Sequence, residues 1–427
     1  MLGEGLLAMF KSHSILVALF VLLLMGCGSG QSDGTPDFQR MIRYGYQTSR
    51  CHGYTDSSLF YHVRGYSIPL FPGDADMEAA WHENSQAIIL RDRRANLHRI
   101  SLSEPVQIVD FDAGVTGGSG LSLSKRYPLA AFWVYLGQAG TWIHIQDFSD
   151  SGSAITLKEL PQLGQPALHP GERVVAGLIY SETPDGSRTS NVVGVFELLD
   201  DGAKPRATFE LEPNEILKVF GWSAGGEVIA VAQTEKRGVI PFYIFTESGQ
   251  IKRSQLGMGC ALSTDWSPLE TRLLYSATND TDVDDAGRDW DLYMETMGPR
   301  PEDAFSLQQL TDTSTADEIA AVWSGDGRSI AYARASADET EALWQDLFAI
   351  YMDDPTYTPQ RLTATADEYE TNPMWLSDNE IAYLSWASNE NTWYLKRLVI
   401  NELGATPTTV LKLPESWYQA YVPTTEQ

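Results

Sequence analysis

The pentapeptide Gly221-Trp222-Ser223-Ala224-Gly225 matches the G-x-S-x-G pattern that carries the nucleophilic serine of many hydrolases. That chemistry needs a strand, a sharp turn and a helix around the serine, and a histidine later in the chain. Here the residues after the pentapeptide read EVIAVAQ, which predicts a strand. All seven histidines precede Ser223. The sequence therefore predicts that Ser223 is not a nucleophile.

A second candidate is the aspartate-rich stretch from Asn279 to Asp291. Carboxylate oxygens at alternate positions suit Ca²⁺. The stretch lacks the glycine and the glutamate that an EF-hand carries at its sixth and twelfth positions. Two interpretations stay open, a calcium site and a solvated acidic loop. The proposed ligands are Asp280, Asp282, Asp284 and Asp285.

Acidic, amide and aromatic residues recur in the equivalent places of the next two sequence copies described below. Such groups converging on one rim suit a ligand or a peptide segment. The alternative is a set of ordinary exposed loops. The residues of this predicted binding face are Asp338, Glu341, Trp344, Trp386, Asn389 and Trp393.

The N-terminal residues predict export. Lys11 precedes an apolar run from Ile15 to Met25, which is typical of a secretory signal and short for a membrane span. The ending Leu24-Met25-Gly26-Cys27 resembles the bacterial lipobox, which implies cleavage after residue 26 and a lipid on Cys27. An ordinary signal with an incidental cysteine is the alternative. Gly28 in place of aspartate resembles lipoproteins sent to the outer membrane, facing the periplasm. Residues 27–37 read as a flexible tether.

Two further cysteines, Cys51 and Cys260, would lie in an oxidising compartment. They form a disulfide or remain two buried thiols, and the count alone does not decide between these. No cofactor is indicated apart from the calcium hypothesis.

The formal net charge of −27 over 427 residues argues against nucleic acid as a partner, because such a field repels phosphate backbones. Cationic, neutral or metal-bearing partners fit the charge better.

An internal repeat organises the rest of the chain. Leu310-Thr311 and Leu362-Thr363 each lie 13 residues before a tryptophan, Trp323 or Trp375, and each tryptophan precedes a polar turn and the tripeptide Ile-Ala-Tyr. Weaker copies contain Trp81, Trp222 and Trp266, and two more lack the tryptophan. Ser223 occupies the same position after the tryptophan as Ser267 and Ser324. This explains the G-x-S-x-G match as part of a repeat.

Each copy predicts four short antiparallel strands, and repeats of 40 to 57 residues are typical of β-propeller blades. The prediction is therefore an all-β propeller of four-stranded antiparallel blades over residues 76–415, with seven blades favoured over six or eight. Residues 38–75 would pack on or close the ring, and residues 416–427 would form a tail. The stretches from Ser58 to Phe71 and from Ser416 are both β-prone and are not used by the copies.

The phrase from Leu-Thr through Trp-Ser to Ile-Ala-Tyr resembles the TolB-type propeller repeat, most clearly from Trp266 to Tyr394. The resemblance implies the fold and little about function, because the matching residues are structural. The segment from Phe38 to Asp74 is too short for the separate α/β domain that TolB proteins carry before their propeller.

Two functional hypotheses follow. The first is a lipid-anchored module that binds an envelope protein or peptide through the acidic loop face. The second is a propeller hydrolase or lyase with a carboxylate or metal site at the axis. The sequence shows no convergent set of carboxylates and histidines for the second, so we favour the first.

Overall fold

Strands joined by turns account for almost all of the described chain. The structure is a computed structural model, and it describes residues 77–418 except for short gaps. Cys27, Cys51 and the tether therefore lie outside the described residues, as does the C-terminal stretch 419–427. The gaps are 93, 113–117, 136–140, 150–151, 158–162, 183–187, 213, 215, 236–237, 257–258, 279–289, 299, 315, 337–344, 366–367, 388, 391 and 402–403.

Three sheets contain four consecutive antiparallel strands each. The first contains β1 (Glu78–His82), β2 (Ala87–Arg91), β3 (Leu97–Ser101) and β4 (Gln107–Phe111). The second contains β5 (Gly118–Leu123), β6 (Leu129–Tyr135), β7 (Thr141–Asp147) and β8 (Ala154–Leu157). The third contains β9 (Leu163–Leu168), β10 (Val174–Glu182), β11 (Arg188–Leu198) and β12 (Ala203–Glu210).

Two further sheets contain eight strands each. One contains β13 (Ile216–Trp222), β14 (Val228–Glu235), β15 (Gly238–Phe245), β16 (Gln250–Arg253), β17 (Gly259–Trp266), β18 (Arg272–Thr278), β19 (Asp291–Thr296) and β20 (Ser306–Gln309). The other contains β21 (Ala316–Trp323), β22 (Ser329–Ser336), β23 (Gln345–Tyr351), β24 (Gln360–Arg361), β25 (Glu368–Ser377), β26 (Glu380–Ala387), β27 (Thr392–Asn401) and β28 (Gly404–Lys412).

The propeller of four-stranded antiparallel blades is confirmed, but the predicted number of seven separate blades is wrong. The described strands form five hydrogen-bonded sheets, and on that count the arrangement has five blades. The reason is a short parallel pairing between successive four-stranded runs. Gly238 and Val239 of β15 pair with Gly259 and Cys260 of β17. Gln345 of β23 pairs with Tyr369 of β25, so the second large sheet also holds two sequence copies.

The first strand of each four-stranded run lies on the inside of the ring. These strands contact one another in the order β1, β5, β9, β13, β17, β21 and β25, and β25 contacts β1 again. The second strand of each run is sandwiched, which explains its apolar sequence. In β22, Ile330, Ala331, Tyr332 and Ala333 are all fully buried.

The turn after the inner strand uses one side chain to hold its backbone. The Ser324 hydroxyl accepts the backbone N–H of Ser329 at 2.9 Å, and Ser223 accepts that of Val228 at 3.1 Å. His169 fills the same position and accepts the N–H groups of Gly171 and Glu172 through Nδ1, at 3.1 and 3.0 Å. Ser223 is 1% exposed, and the turn after it leads into strand β14. Its hydroxyl therefore stabilises the backbone of that turn.

The ring closes through side-chain packing between its first and last strands. One cluster joins Met77, Ile88 and Ile100 of the first sheet to Trp393 and Leu395 of the last. A one-turn helix, α1 (Glu415–Tyr418), adds Trp417 and Tyr418 to this cluster. The residues after Ser416 were predicted to be β-prone, and the described ones are helical instead. No helix in the described residues is long and apolar enough to cross a bilayer.

Trp417 also stacks on His98 of β3, with ring centroids 3.7 Å apart and planes at 20°. Both imidazole nitrogens have carboxylate partners, because Nδ1 lies 2.7 Å from Asp110 and Nε2 lies 3.2 Å from Asp92. The C-terminal helix is thus held on the first sheet by a ring that is itself fixed in orientation.

Replacing Trp417 with alanine should lower the free energy of unfolding by about 3 kcal/mol, because it removes a buried aromatic side chain from the closure of the ring. Urea denaturation of the full chain measures this loss. Leu269 is 68% exposed, so the matched Leu269→Ala control should change stability by less than about 0.5 kcal/mol. Equal effects of the two substitutions would contradict the closing role of Trp417.

Candidate functional site

We call one end of the ring the loop face. It carries the connections between the second and third strands of each run, together with the connections between successive runs. Most of the predicted residues lie outside the described chain. These are Asp280, Asp282, Asp284, Asp285, Asp338, Glu341 and Trp344.

The structure places the three remaining predicted residues on β26, β27 and the turn between them. Asn389 is exposed in the turn. Trp386 pairs directly with Trp393 across the two strands. Trp386 is partly buried and Trp393 is 2% exposed within the hydrophobic cluster that closes the ring. Trp393 therefore packs in the core, while Trp386 and Asn389 remain accessible at the loop face.

The described strand ends of the loop face hold a polar network that the sequence analysis missed. Its first member is Glu318 of β21, which is fully buried. Thr311 and Thr313, which follow β20, place their hydroxyls 3.1 and 2.8 Å from the two carboxylate oxygens. Arg334 of β22 approaches the same carboxylate at 3.3 Å. The network thus joins the outer strand of one run to the inner strand of the next.

The same network recurs one run later. Glu370 of β25 is fully buried and accepts hydrogen bonds from the hydroxyls of Thr363 and Thr365, the latter at 3.3 Å. The first threonine of each pair also accepts a backbone N–H, from Leu292 at 2.8 Å and from Leu347 at 2.9 Å. The hydroxyls of Thr311 and Thr363 therefore each bridge a buried glutamate and the third strand of the preceding run.

An aspartate at the start of the third strand completes each copy. Asp291 accepts the backbone N–H of Thr313 at 3.1 Å, and Asp346 accepts that of Thr365 at 3.2 Å. Asp346 also forms an ion pair with Arg361. Asp291 is the first residue of β19 and Asp346 is the second residue of β23, so in the sequence both closely follow the stretches 279–289 and 337–344 that contain predicted acidic residues.

A third buried glutamate joins the β13–β16 run to the β17–β20 run. Glu295 of β19 accepts hydrogen bonds from the Tyr243 hydroxyl at 2.7 Å and the Ser254 hydroxyl at 2.5 Å. Its second oxygen accepts the backbone N–H of Gln255 at 2.7 Å. The Tyr275 hydroxyl lies 3.4 Å away. Three successive junctions therefore contain a buried glutamate surrounded by hydroxyl donors.

Burial raises the pKa values of Glu318 and Glu370, since a buried carboxylate is poorly solvated. The pKa of Glu318 rises to about 8, against the lowering effect of Thr313 and Arg334. The pKa of Glu370 rises to about 7, with Thr363 opposing the shift and Asp346 adding to it. Burial also raises the pKa values of Tyr332 and Tyr383, the tyrosines of the two Ile-Ala-Tyr phrases, and the neighbouring glutamates add to those shifts.

A partly buried carboxylate also joins two runs at the opposite end of the ring, which we call the turn face. Asp265, just before Trp266, accepts the backbone N–H of Trp323 at 2.7 Å. Burial raises its pKa to about 6. Ser122 makes the equivalent contact to the N–H of Leu168 at 2.9 Å. The perturbed pKa of Asp265 thus accompanies a repeated contact between runs.

The network can bind protons and hold neighbouring runs together, but its carboxylates are closed to solvent. Among the described residues, no group of three or more histidine, cysteine, aspartate or glutamate side chains is arranged to hold a metal ion.

The sequence contains a signal for the glutamate network, a Leu-Thr-x-Thr phrase with a glutamate seven residues after the first threonine. It occurs at Leu310 to Glu318 and again 52 residues later.

Comparison with known proteins supports the fold. No protein-family model matches the chain, and no curated protein sequence matches it. Among solved structures, the β-propeller domain of Myceliophteria thermophila Cps50 (Swd1) is similar with a TM-score of 0.53 and 11% identity, over 72% of this chain and 92% of that one. This similarity shows a β-propeller fold.

Two further propellers match less well. A putative TolB from Agrobacterium tumefaciens has 16% identity and a TM-score of 0.37, over 55% of this chain and 80% of that one. The propeller domain of the Pyrococcus furiosus Trilobed protease has 11% identity and a TM-score of 0.45, over 68% and 84%.

The buried glutamates should make stability fall as pH rises. Between the ordinary glutamate pKa of 4.5 and the raised values, the folded chain holds protons that the unfolded chain has released, so alkaline pH favours unfolding. Glu318→Gln and Glu370→Gln should each flatten this dependence between pH 5 and pH 8, by about 2 kcal/mol. Urea denaturation at a series of pH values measures the effect.

The matched control is Glu302→Gln, because the Glu302 side chain is 66% exposed. Its pH profile should follow that of the wild type. If the two buried variants lose stability equally at pH 5 and pH 8, the glutamates are ionised in the folded chain and the assignment fails.

Proposed function

We propose that this protein is a lipid-anchored β-propeller of the bacterial envelope that binds a basic protein or peptide segment at its loop face. The observation that carries the proposal is the repeated acidic architecture of that face. Glu212, Asp312 and Glu390 are exposed on its described connections, and the adjoining stretches of the sequence add further carboxylates. Propellers commonly present one such face of variable loops on a rigid ring.

The chemistry of the partner follows from charge and from the accessible aromatic ring. The whole chain carries a net charge of −27, so lysine- and arginine-rich segments are attracted over several ångströms. Exposed carboxylates at the loop face include Asp312 and Glu212. Partly exposed Trp386 adds an apolar contact of the type that dominates binding energy at interfaces. A calcium ion on Asp280, Asp282, Asp284 and Asp285 would reduce the negative charge locally and alter this preference.

Capture from native envelopes tests the proposal. The full chain is crosslinked to its neighbours with calcium present and with a chelator present, and the crosslinked sites are mapped by mass spectrometry. The proposal predicts a reproducible protein partner joined to the loop face. Crosslinks confined to the turn face would contradict it, and an effect of chelator would support the calcium site.

Charge reversal at the loop face should weaken binding of the captured partner by about tenfold or more, which corresponds to about 1.4 kcal/mol. The variant combines Asp312→Lys with Glu212→Lys, both exposed at the loop face. The control combines Glu83→Lys with Asp378→Lys, which are exposed at the turn face. Titration at several salt concentrations measures both, and equal losses in the two variants would indicate a non-specific effect of net charge.

The anchor is tested separately. Cys27→Ser should move the protein from the membrane fraction to the soluble fraction of the envelope, because the lipid supplies the membrane affinity. Cys51→Ser is the matched control and should remain in the membrane fraction. Mass spectrometry of the N-terminal peptide reports the modification directly. An unmodified Cys27 in the wild type would exclude the anchor while leaving the binding proposal intact.

A further inference from the structure

An aromatic row crosses three strands at the loop face where the ring closes. Tyr369 of β25 pairs with Trp386 of β26, which pairs with Trp393 of β27. The rings of Tyr369 and Trp393 meet edge to face with centroids 6.5 Å apart. We call Tyr369, Trp386, Trp393 and the neighbouring Met77 the closure corner, since all four belong to the cluster between the first and last strands.

The row is covered unevenly. Trp393 is 2% exposed, whereas Tyr369 and Trp386 are only partly buried. Beside them, Asn389 and Glu390 are exposed in the turn that joins β26 to β27. Tyrosine and tryptophan are enriched at the surfaces through which proteins bind one another.

The chain itself enters the fold at this corner. Met77 is 3% exposed inside the cluster, one residue before β1 begins. The described fold therefore begins at a residue that belongs to the same cluster as the aromatic row. Four residues of extended chain reach at most about 14 Å, so a segment ending at Gly73 lies within reach of the corner without any long connection.

The chemistry of that segment fits the corner. Residues 43–73 contain three arginines, Arg43, Arg50 and Arg64, and a single acid, Asp56, in a chain of net charge −27. Three carboxylates adjoin the corner in the chain. Glu390 is exposed, whereas Glu78 is paired with Arg91 and Glu368 with Lys396. The segment is also rich in aromatic residues, namely Tyr44, Tyr46, Tyr54, Phe60, Tyr61, Tyr66 and Phe71.

We propose that residues 43–73 of the same chain dock on the closure corner, with aromatic side chains against Tyr369 and Trp386 and an arginine towards the exposed carboxylate of Glu390. The docked segment would cover the seam between the first and last strands. It would also occupy part of the loop face, so a basic partner would have to displace it or bind beside it. The docking itself does not depend on the existence of such a partner.

The test uses the full chain with the photoreactive residue benzoylphenylalanine in place of Tyr61 or Tyr66, which changes little else in an aromatic side chain. After illumination of dilute protein, mass spectrometry maps the crosslinked peptides. We expect intramolecular crosslinks to the stretch from Tyr369 to Trp393. As a control, the same photoreactive residue at exposed Glu83 on the turn face should give no crosslink to residues 43–73.

Two variants keep the test independent of folding. Trp386→Ala should lower the crosslink yield several-fold by removing the aromatic contact. Asn389→Arg should lower it similarly by placing a positive charge beside Glu390, and Asn389 is exposed, so this change leaves the core intact. Crosslinks between two copies, to residues 419–427 or to any other part of the ring would overturn the proposal, as would yields unaffected by both variants.

Discussion

The architecture depends on buried carboxylates that join one four-stranded run to the next. Neighbouring four-stranded runs of the ring are not joined along their length by a ladder of hydrogen bonds, so polar groups where they meet need other partners. Glu295, Glu318 and Glu370 supply acceptors at three successive junctions. Burying a carboxylate is costly unless donors surround it, and the threonine, serine and tyrosine hydroxyls provide those donors. Their presence fixes how the adjacent runs meet.

This constraint separates structural from functional residues. The carboxylates whose pKa values burial raises, Glu318, Glu370 and Asp265, are all engaged in contacts between runs, and the two glutamates are fully buried. These contacts stabilise the ring itself. The turn after each inner strand repeats at the turn face, where Ser324, Ser223 and His169 hold the backbone in the same way.

The sequence predicted the fold because its tryptophans, polar turns and Ile-Ala-Tyr phrases recur with the period of a blade. It correctly assigned Ser223 to a turn. The division into sheets was not predictable, since it depends on pairings as short as the single bridge between Gln345 and Tyr369. The one-turn helix at Glu415 was missed because burial of Trp417 against His98, a distant residue, decides its conformation.

The candidate site was predicted only in part. Trp393 was predicted to face a ligand. Its position on β27 instead directs its side chain into the hydrophobic cluster that closes the ring. The threonines and glutamates of the network recur at a fixed spacing in the sequence. The sequence alone does not show that they contact one another, because this depends on the residues after β20 packing against β21. Propensity and periodicity do not report such contacts between elements, whereas a repeated polar phrase in an apolar repeat does suggest them.

The most direct test of this account is the protonation state of the network in the folded chain. Carbon-13 NMR of side-chain carboxyl groups, with Glu318 and Glu370 assigned through their glutamine variants, measures it for each residue. The account predicts that both carboxyls remain protonated at pH 6 and titrate well above the ordinary glutamate pKa. Titration of both residues near that ordinary value would show that the junctions are open to water, and would contradict the account.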